Sequence, residues 1–149
     1  MIRAGAGQSR GQTTAAAVKE AAGRALACAG VARADLAVMF FTSDHAADPG
    51  ELASSLITSV GTDCVVGCSG AGVLSGEGEI EGSGGVAVLV VAAEELAGRP
   101  FIFEPWRGNE ANLGSSFGDF LAKSDDENSL MVLLPDTYNG NPQPMLGAM

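Results

Sequence analysis

The 149-residue chain has the length of one domain, and 46% of its residues are hydrophobic whereas only 17% are charged. Its formal net charge is −10, and its eight Lys and Arg residues are scattered along the sequence. Nucleic acids and anionic membranes are bound through clustered basic residues, so the composition argues against both partners. One hydrophobic core, and therefore a single domain over residues 1–149, is expected.

The sequence also indicates a cellular compartment. No segment has the length of an apolar membrane-spanning helix, and residues 1–11 lack the apolar core of a signal peptide. The three cysteines, Cys28, Cys64 and Cys68, are odd in number and lack the spacing of a disulfide framework. These features predict free thiols and a cytoplasmic location.

The first elements are predicted to be a helix followed by a strand. Ser9 followed by Gln12 has the pattern of a capping box, and apolar residues then recur at helical spacing up to Gly30. The many alanines on this face predict close packing, most simply against a sheet. Leu36–Thr42 is an unbroken apolar run, which is typical of a central strand that is covered on both faces.

A second helix and two further strands follow. Asp48 before Pro49 supplies an N-cap and an N1 proline, which predict a helix that ends before Gly61. Cys64 to Gly67 and Val86 to Ala92 read as apolar strands with no helix between them. Strands joined in this way pair antiparallel or cross to different places, so the sequence predicts an α/β layered domain whose mixed β-sheet is covered by helices.

The last third of the chain predicts a short edge strand over 100–105 and a helix over 109–123. A charged turn at 124–128 is expected to lead into a buried strand over 130–134. Turn-like sequence then continues to a helix that begins near Met145. Because no helix stop signal follows, the chain is expected to be the front part of a longer protein.

The glycine-rich segment Val65–Gly76 is the most informative motif. Gly67, Gly70 and Gly72 permit unusual backbone dihedrals and close approach of other groups. Exposed N–H groups in such a turn can form an anion-binding nest, with the Ser69 hydroxyl as a further donor. The same glycines fit equally well a strand that bends beneath another element, so the residues alone leave both interpretations open.

Other motifs argue against cofactors and metals. Gly5–Gly11 resembles a dinucleotide fingerprint, but its glycine spacing is wrong, and the chain contains no P-loop triplet. Cys64 and Cys68 with one distant histidine do not complete a zinc site. We therefore predict no cofactor and no metal ion.

His45 is the single histidine, and with Asp44 it follows the first predicted central strand, where α/β sheets commonly carry function. It could activate Cys68 or Ser69 as a nucleophile. The surrounding sequence, however, departs from the Gly-x-Ser-x-Gly elbow at its last position. No catalytic residue is predicted, and a polar loop histidine and a mainly packed Cys68 are the favoured interpretations.

The segment Val66–Gly76 (VGCSGAGVLSG) followed by Gly84–Val91 (GGVAVLVV) resembles the N-terminal half of the FIST domain, the F-box and intracellular signal transduction family. An alanine-rich helix before the Asp-Leu strand at Asp35–Ser43, and a later strand that ends in Pro135-Asp136, are also similar to that family. The resemblance spans nearly the whole chain.

The resemblance implies a non-catalytic sensory module that binds a small molecule such as an amino acid. Its further partners would be a C-terminal FIST half or a signalling output domain. A Cys- or Ser-dependent hydrolase or transferase and a purely structural or interaction module remain alternatives. The predicted ligand-binding residues are Gly67, Cys68, Ser69, Gly70, Ala71, Gly72, Asp44, His45 and Asp136.

Overall fold

The structure is a computed structural model that describes residues 1–103, 107–122 and 129–149. The chain divides into two compact units, Met1–Pro100 and Phe101–Met149. Its elements, in chain order, are β1 (Arg3–Ser9), α1 (Thr14–Ala29), β2 (Leu36–Thr42), a 3-10 turn (Ser43–His45), α2 (Pro49–Val60), β3 (Val65–Gly70), β4 (Gly72–Ser75), β5 (Gly78–Glu81), β6 (Val86–Ala92), α3 (Glu110–Ala122) and α4 (Pro142–Ala148). In these described ranges no helix is both long and apolar enough to cross a membrane.

The first unit is built on a four-stranded sheet in the order β1-β6-β2-β3. Strands β2 and β3 are parallel, whereas β6 runs antiparallel to both β1 and β2. The predicted mixed sheet, and with it the α/β fold class, is confirmed. As expected, β2 is an inner strand, and its helix-facing residues Ala37 and Met39 are buried, but Phe40 on the other side is 39% exposed.

The glycine-rich strand and the strand at Val86–Ala92 do not pair antiparallel; they cross to different places, which is the second arrangement that the sequence allows. β3 is an edge strand and does not pair with β6, because β2 lies between them. The chain instead leaves β3 and forms the hairpin β4–β5, which the sequence interpretation missed. The apolar residues Val73 and Ile80 of this hairpin pack against Ala87 of β6, so the hairpin covers one end of the sheet.

The alanine face of α1 packs tightly against β1, as predicted. An added Cβ on Gly5 would lie 2.4 Å from the Ala25 carbonyl oxygen, and one on Gly7 would lie 2.6 Å from that of Ala21. Only glycine opposite alanine permits this approach, since real Cβ atoms do not come so close. The main core forms here, from the buried faces of α1 and α2 against β2 and β6.

The ends of α1 and α2 follow local sequence signals, except at the start of α1. The Gly30 and Gly61 caps are left-handed, with φ of 67° and 74°, and the Asp48 side chain accepts from the Glu51 N–H as the N-cap of α2. The capping box predicted at Ser9 is wrong, because Ser9 ends β1 and Thr13 caps α1. The strand's pairing with β6 continues through Ser9 and so delays the start of the helix.

In the second unit the predicted helix is confirmed as α3, although Lys123 at its expected end and the turn at 124–128 lie outside the described residues. The edge strand predicted over 100–105 is wrong where the structure describes it, since 100–103 form no strand. Phe103 instead stacks edge-to-face on Phe117 of α3, with ring centroids 4.7 Å apart.

The buried strand predicted over 130–134 is also wrong. Leu130 is 86% exposed, whereas Met131 and Leu133 pack against the apolar cluster between α3 and α4. Residues 130–134 therefore pack through one face but pair with no strand among the described residues. Helix α4 begins at Pro142, capped by Asn141, three residues before the expected start near Met145.

Candidate functional site

The candidate site lies where β2 and β3 end. The two strands are parallel and in register, with Thr42 beside Gly70 and Phe41 beside Ser69. Both therefore end at the same edge of the sheet, where the chain enters the 3-10 turn Ser43–His45 on one side and the bend at Ala71 on the other. This is the edge at which parallel α/β sheets usually bind ligands.

Asp44 holds the loop that precedes β6. Its Oδ1 accepts a hydrogen bond from Thr42 Oγ1 at 2.5 Å, and its Oδ2 accepts one from the Gly84 N–H at 2.8 Å. The bond from Thr42 is the main cause that lowers the pKa of the Asp44 carboxyl. Thr42 Oγ1 itself accepts from the Gly85 N–H at 2.9 Å. The ionised Asp44 carboxylate therefore links the end of β2 to the loop that precedes β6.

His45 is buried although it is polar. Its Nδ1 lies 3.2 Å from Thr14 Oγ1, in the first turn of α1. Its Nε2 is buried without a hydrogen-bond partner among the described residues and lies 3.9 Å from Asp44 Oδ2. An unpaired buried nitrogen is costly, of the order of 1–3 kcal/mol.

The glycines of β3 and β4 have a packing role. An added Cβ on Gly67 would lie 2.1 Å from the Met39 carbonyl oxygen, and one on Gly72 would lie 2.9 Å from that of Ile80. Gly67, Gly70 and Gly72 are not among the glycines with positive φ. Of the two interpretations that the sequence leaves open, a nest with a left-handed glycine is therefore not formed at these three positions, which lie in extended strands.

Cys68 and Ser69 differ in exposure. Burial raises the pKa of the half-buried Cys68 thiol, which makes the reactive thiolate scarcer, whereas Ser69 is exposed. Among the described residues the hydrogen-bond partner of His45 is Thr14, and neither Cys68 nor Ser69 bonds to the ring. The described residues thus show no nucleophile–base pair between His45 and β3. Cys28, Cys64 and Cys68 are free thiols, as predicted.

Asp136 belongs to the second unit. Its Oδ1 accepts from the backbone N–H groups of Tyr138 and Asn139, at 3.0 and 3.3 Å, and its Oδ2 accepts from Asn139 Nδ2 at 2.6 Å. These bonds, led by that of the Asn139 side chain, lower the pKa of the carboxyl. The carboxylate stabilises its own turn, and its role in ligand binding stays a prediction.

Two cavities of the first unit were not anticipated. One of about 450 Å³ lies on the β4–β5 hairpin and includes the predicted residues Ala71 and Gly72; it is lined by Ala71, Gly72, Val73, Leu74, Glu79, Glu81 and Gly82. The other, of about 310 Å³, lies beside the end of β1. The alternating glutamates of β5 were the sequence signal for the first. No group of three potential metal-ligating side chains occurs within the described ranges.

A family model described as the FIST N domain matches residues 35–149. The chain belongs to the FIST N domain family. A search of curated proteins found no match. FIST domains form a sensory family of signal-transduction proteins. The match begins at Asp35, so it covers β2 and the glycine-rich segment.

Proposed function

We propose that this FIST N domain senses a small molecule such as an amino acid, which binds at the carboxyl edge of β2 and β3. The observation that carries the proposal is the parallel register of β2 and β3, which supports a common location for the 3-10 turn of Asp44 and His45 and for the segment Ser69–Gly72. The same edge continues into the 450 Å³ cavity on the hairpin.

The chemistry of this edge suits a ligand with both donors and acceptors. Ser69 is an exposed hydroxyl, and the buried Nε2 of His45 needs a partner. Glu79 and Glu81 line the hairpin cavity and can accept hydrogen bonds from an ammonium group. Recognition would thus come from side chains and strand ends, since the backbone nest is not formed.

In this proposal the module has no catalytic activity and passes its signal to a C-terminal FIST half or an output domain. Three free thiols, of which Cys28 is exposed, support operation in the cytoplasm, where reducing conditions preserve thiols. The raised pKa of the Cys68 thiol makes the reactive thiolate scarcer, and His45 makes no hydrogen bond to Cys68 or Ser69 among the described residues. Neither observation supports the hydrolase alternative.

A thermal-shift screen of the full chain with amino acids and small organic acids tests the proposal. A ligand at 100-fold excess over its Kd should add about 2.7 kcal/mol to the free energy of unfolding. Ser69→Ala and Glu81→Gln should reduce the response to the ligand that is found, whereas Ser54→Ala, on the exposed side of α2, should leave it unchanged. A flat response to the whole panel would contradict the proposal.

A further inference from the structure

The 310 Å³ cavity beside β1 lies at the other edge of the sheet from β3. It is open to solvent on one side and bordered by the end of β1, the middle of α1 and strand β5, and its lining residues are Gln8, Ser9, Arg10, Glu20, Arg24 and Ile80. Five of these six side chains are polar or charged. Its volume is at the lower end of the range for small-molecule sites, so only a small ligand would fit.

Gln8 is the first reason to consider this cavity a binding site. The residue is only 8% exposed, and its Oε1 is buried without a hydrogen-bond partner among the described residues. Leaving a buried amide oxygen unpaired costs stability that an apolar side chain of similar size would not cost. Because this oxygen is shielded from solvent, rotation about the last side-chain bond is needed to present it to a donor that enters the cavity.

The charges around the cavity define what could enter. Arg24 is held in place, because its Nη2 lies 2.7 Å from Glu20 Oε1 and its Nη1 lies 2.9 Å from Glu77 Oε2. Arg10 is exposed and makes no ion pair in the described part of the chain; its Nη2 donates to the Glu79 carbonyl oxygen at 3.2 Å. Most of its guanidinium donors remain available for a carboxylate.

Glu20 supplies the complementary charge. Its Oε2 accepts from Ser9 Oγ at 2.5 Å, and this bond, followed by the charge of Arg24, lowers the pKa of the Glu20 carboxyl. The group is therefore a carboxylate at neutral pH, and its oxygens have lone pairs left for a further donor. The lining carries two arginines, Arg10 and Arg24, and one glutamate, Glu20, while Glu77 pairs with Arg24 from outside the lining. These four charges balance, so a ligand without net charge preserves the balance.

We propose that this cavity is a second binding site that takes a small zwitterion, with the carboxylate on Arg10 and the ammonium group on Gln8 Oε1 and Glu20. The site goes beyond the proposed function, because it lies at the opposite edge of the sheet and uses none of the residues predicted for the first site. A molecule whose carboxylate and ammonium group are close together can bind the Arg10 guanidinium and the Gln8 amide oxygen at the same time.

Calorimetric titration of the full chain with glycine, β-alanine and γ-aminobutyrate tests this inference. Propionate and glycinamide, which each lack one of the two charges, serve as matched analogues. At least one zwitterion should bind, and the analogue lacking either charge should bind about tenfold more weakly, as expected for loss of one charged hydrogen bond. Equal affinity for a zwitterion and its singly charged analogues would overturn the inference.

Variants locate the site. Gln8→Leu and Arg10→Gln should each weaken zwitterion binding about tenfold. Arg33→Gln removes an equally exposed arginine elsewhere and should have no effect. Gln8→Leu should also unfold at a temperature no lower than that of the natural chain, because it removes an unpaired buried amide, so loss of binding cannot be ascribed to loss of folding.

The outcomes separate the two sites. If zwitterion affinity survives Gln8→Leu and Arg10→Gln but falls in Ser69→Ala, the second site is wrong and the proposed function stands. If no zwitterion binds the natural chain, the second site is wrong as well, while a response to another molecule in the thermal-shift screen would still support the proposed function.

Discussion

Gly67 provides a test at the scale of a single residue. In Gly67→Ala the new methyl group would lie 2.1 Å from the Met39 carbonyl oxygen, so β3 would have to move away from β2. We expect a loss of about 1–3 kcal/mol in the free energy of unfolding, measured by urea denaturation, as for other overpacked positions.

Gly23→Ala is the matched control. Gly23 lies inside α1, and an added Cβ would meet nothing within 4 Å, so this change should stabilise the protein by about 0.5–1 kcal/mol. Opposite signs for the two substitutions support the packing role of Gly67. A neutral Gly67→Ala variant would show instead that the two strands can separate at no cost.

The same residues show what a sequence can reveal about a site. It indicates that glycine is needed at 67, 70 and 72, but the reason depends on Met39 and Ile80, which lie on other strands. The surroundings of His45 are also beyond prediction, since its ring contacts Thr14, which is 31 residues away. Site chemistry that depends on such distant neighbours emerges only with the fold.

At the scale of elements, local signals were sufficient for β2, α2 and the left-handed caps at Gly30 and Gly61. Pairing was not, because hydrogen-bonded neighbours in a sheet are set by the whole chain. Hence the sequence leaves open whether β3 pairs with β6, and only the fold shows that β2 separates them. The strand predicted over 130–134 is wrong for the same reason. Its apolar residues suit a strand, but no strand among the described residues pairs with them.

The cap of α2 can be tested as an element. Asp48 accepts from the Glu51 N–H at 2.9 Å, so Asp48→Ala leaves a first-turn donor without its partner and should cost about 1 kcal/mol. Urea denaturation at neutral pH measures the loss. Asp63→Ala removes an exposed carboxylate outside any helix and should change stability little. Equal effects of the two substitutions would mean that charge, and not capping, is responsible.

At the scale of the whole molecule, the apolar clusters follow the division at Pro100. The main cluster and the hairpin cluster around Val73 lie in the first unit, whereas Leu113, Phe117 and Met145 form a separate cluster in the second. The complete four-stranded sheet is also contained in the first unit. The prediction of a single domain over 1–149 can therefore be tested by dividing the chain.

A chain of residues 1–100 should fold on its own, because it retains both partners of β6 and the core beneath α1 and α2. Far-UV circular dichroism should show a cooperative thermal transition. A chain that ends at Gly85 is the control: without β6, neither β1 nor β2 keeps its antiparallel neighbour, so that chain should not unfold cooperatively. Residues 101–149 alone bury too little surface to fold stably, as is usual near this length. If 1–100 shows no transition either, the sheet depends on residues beyond Pro100, and the domain is single as the composition predicts.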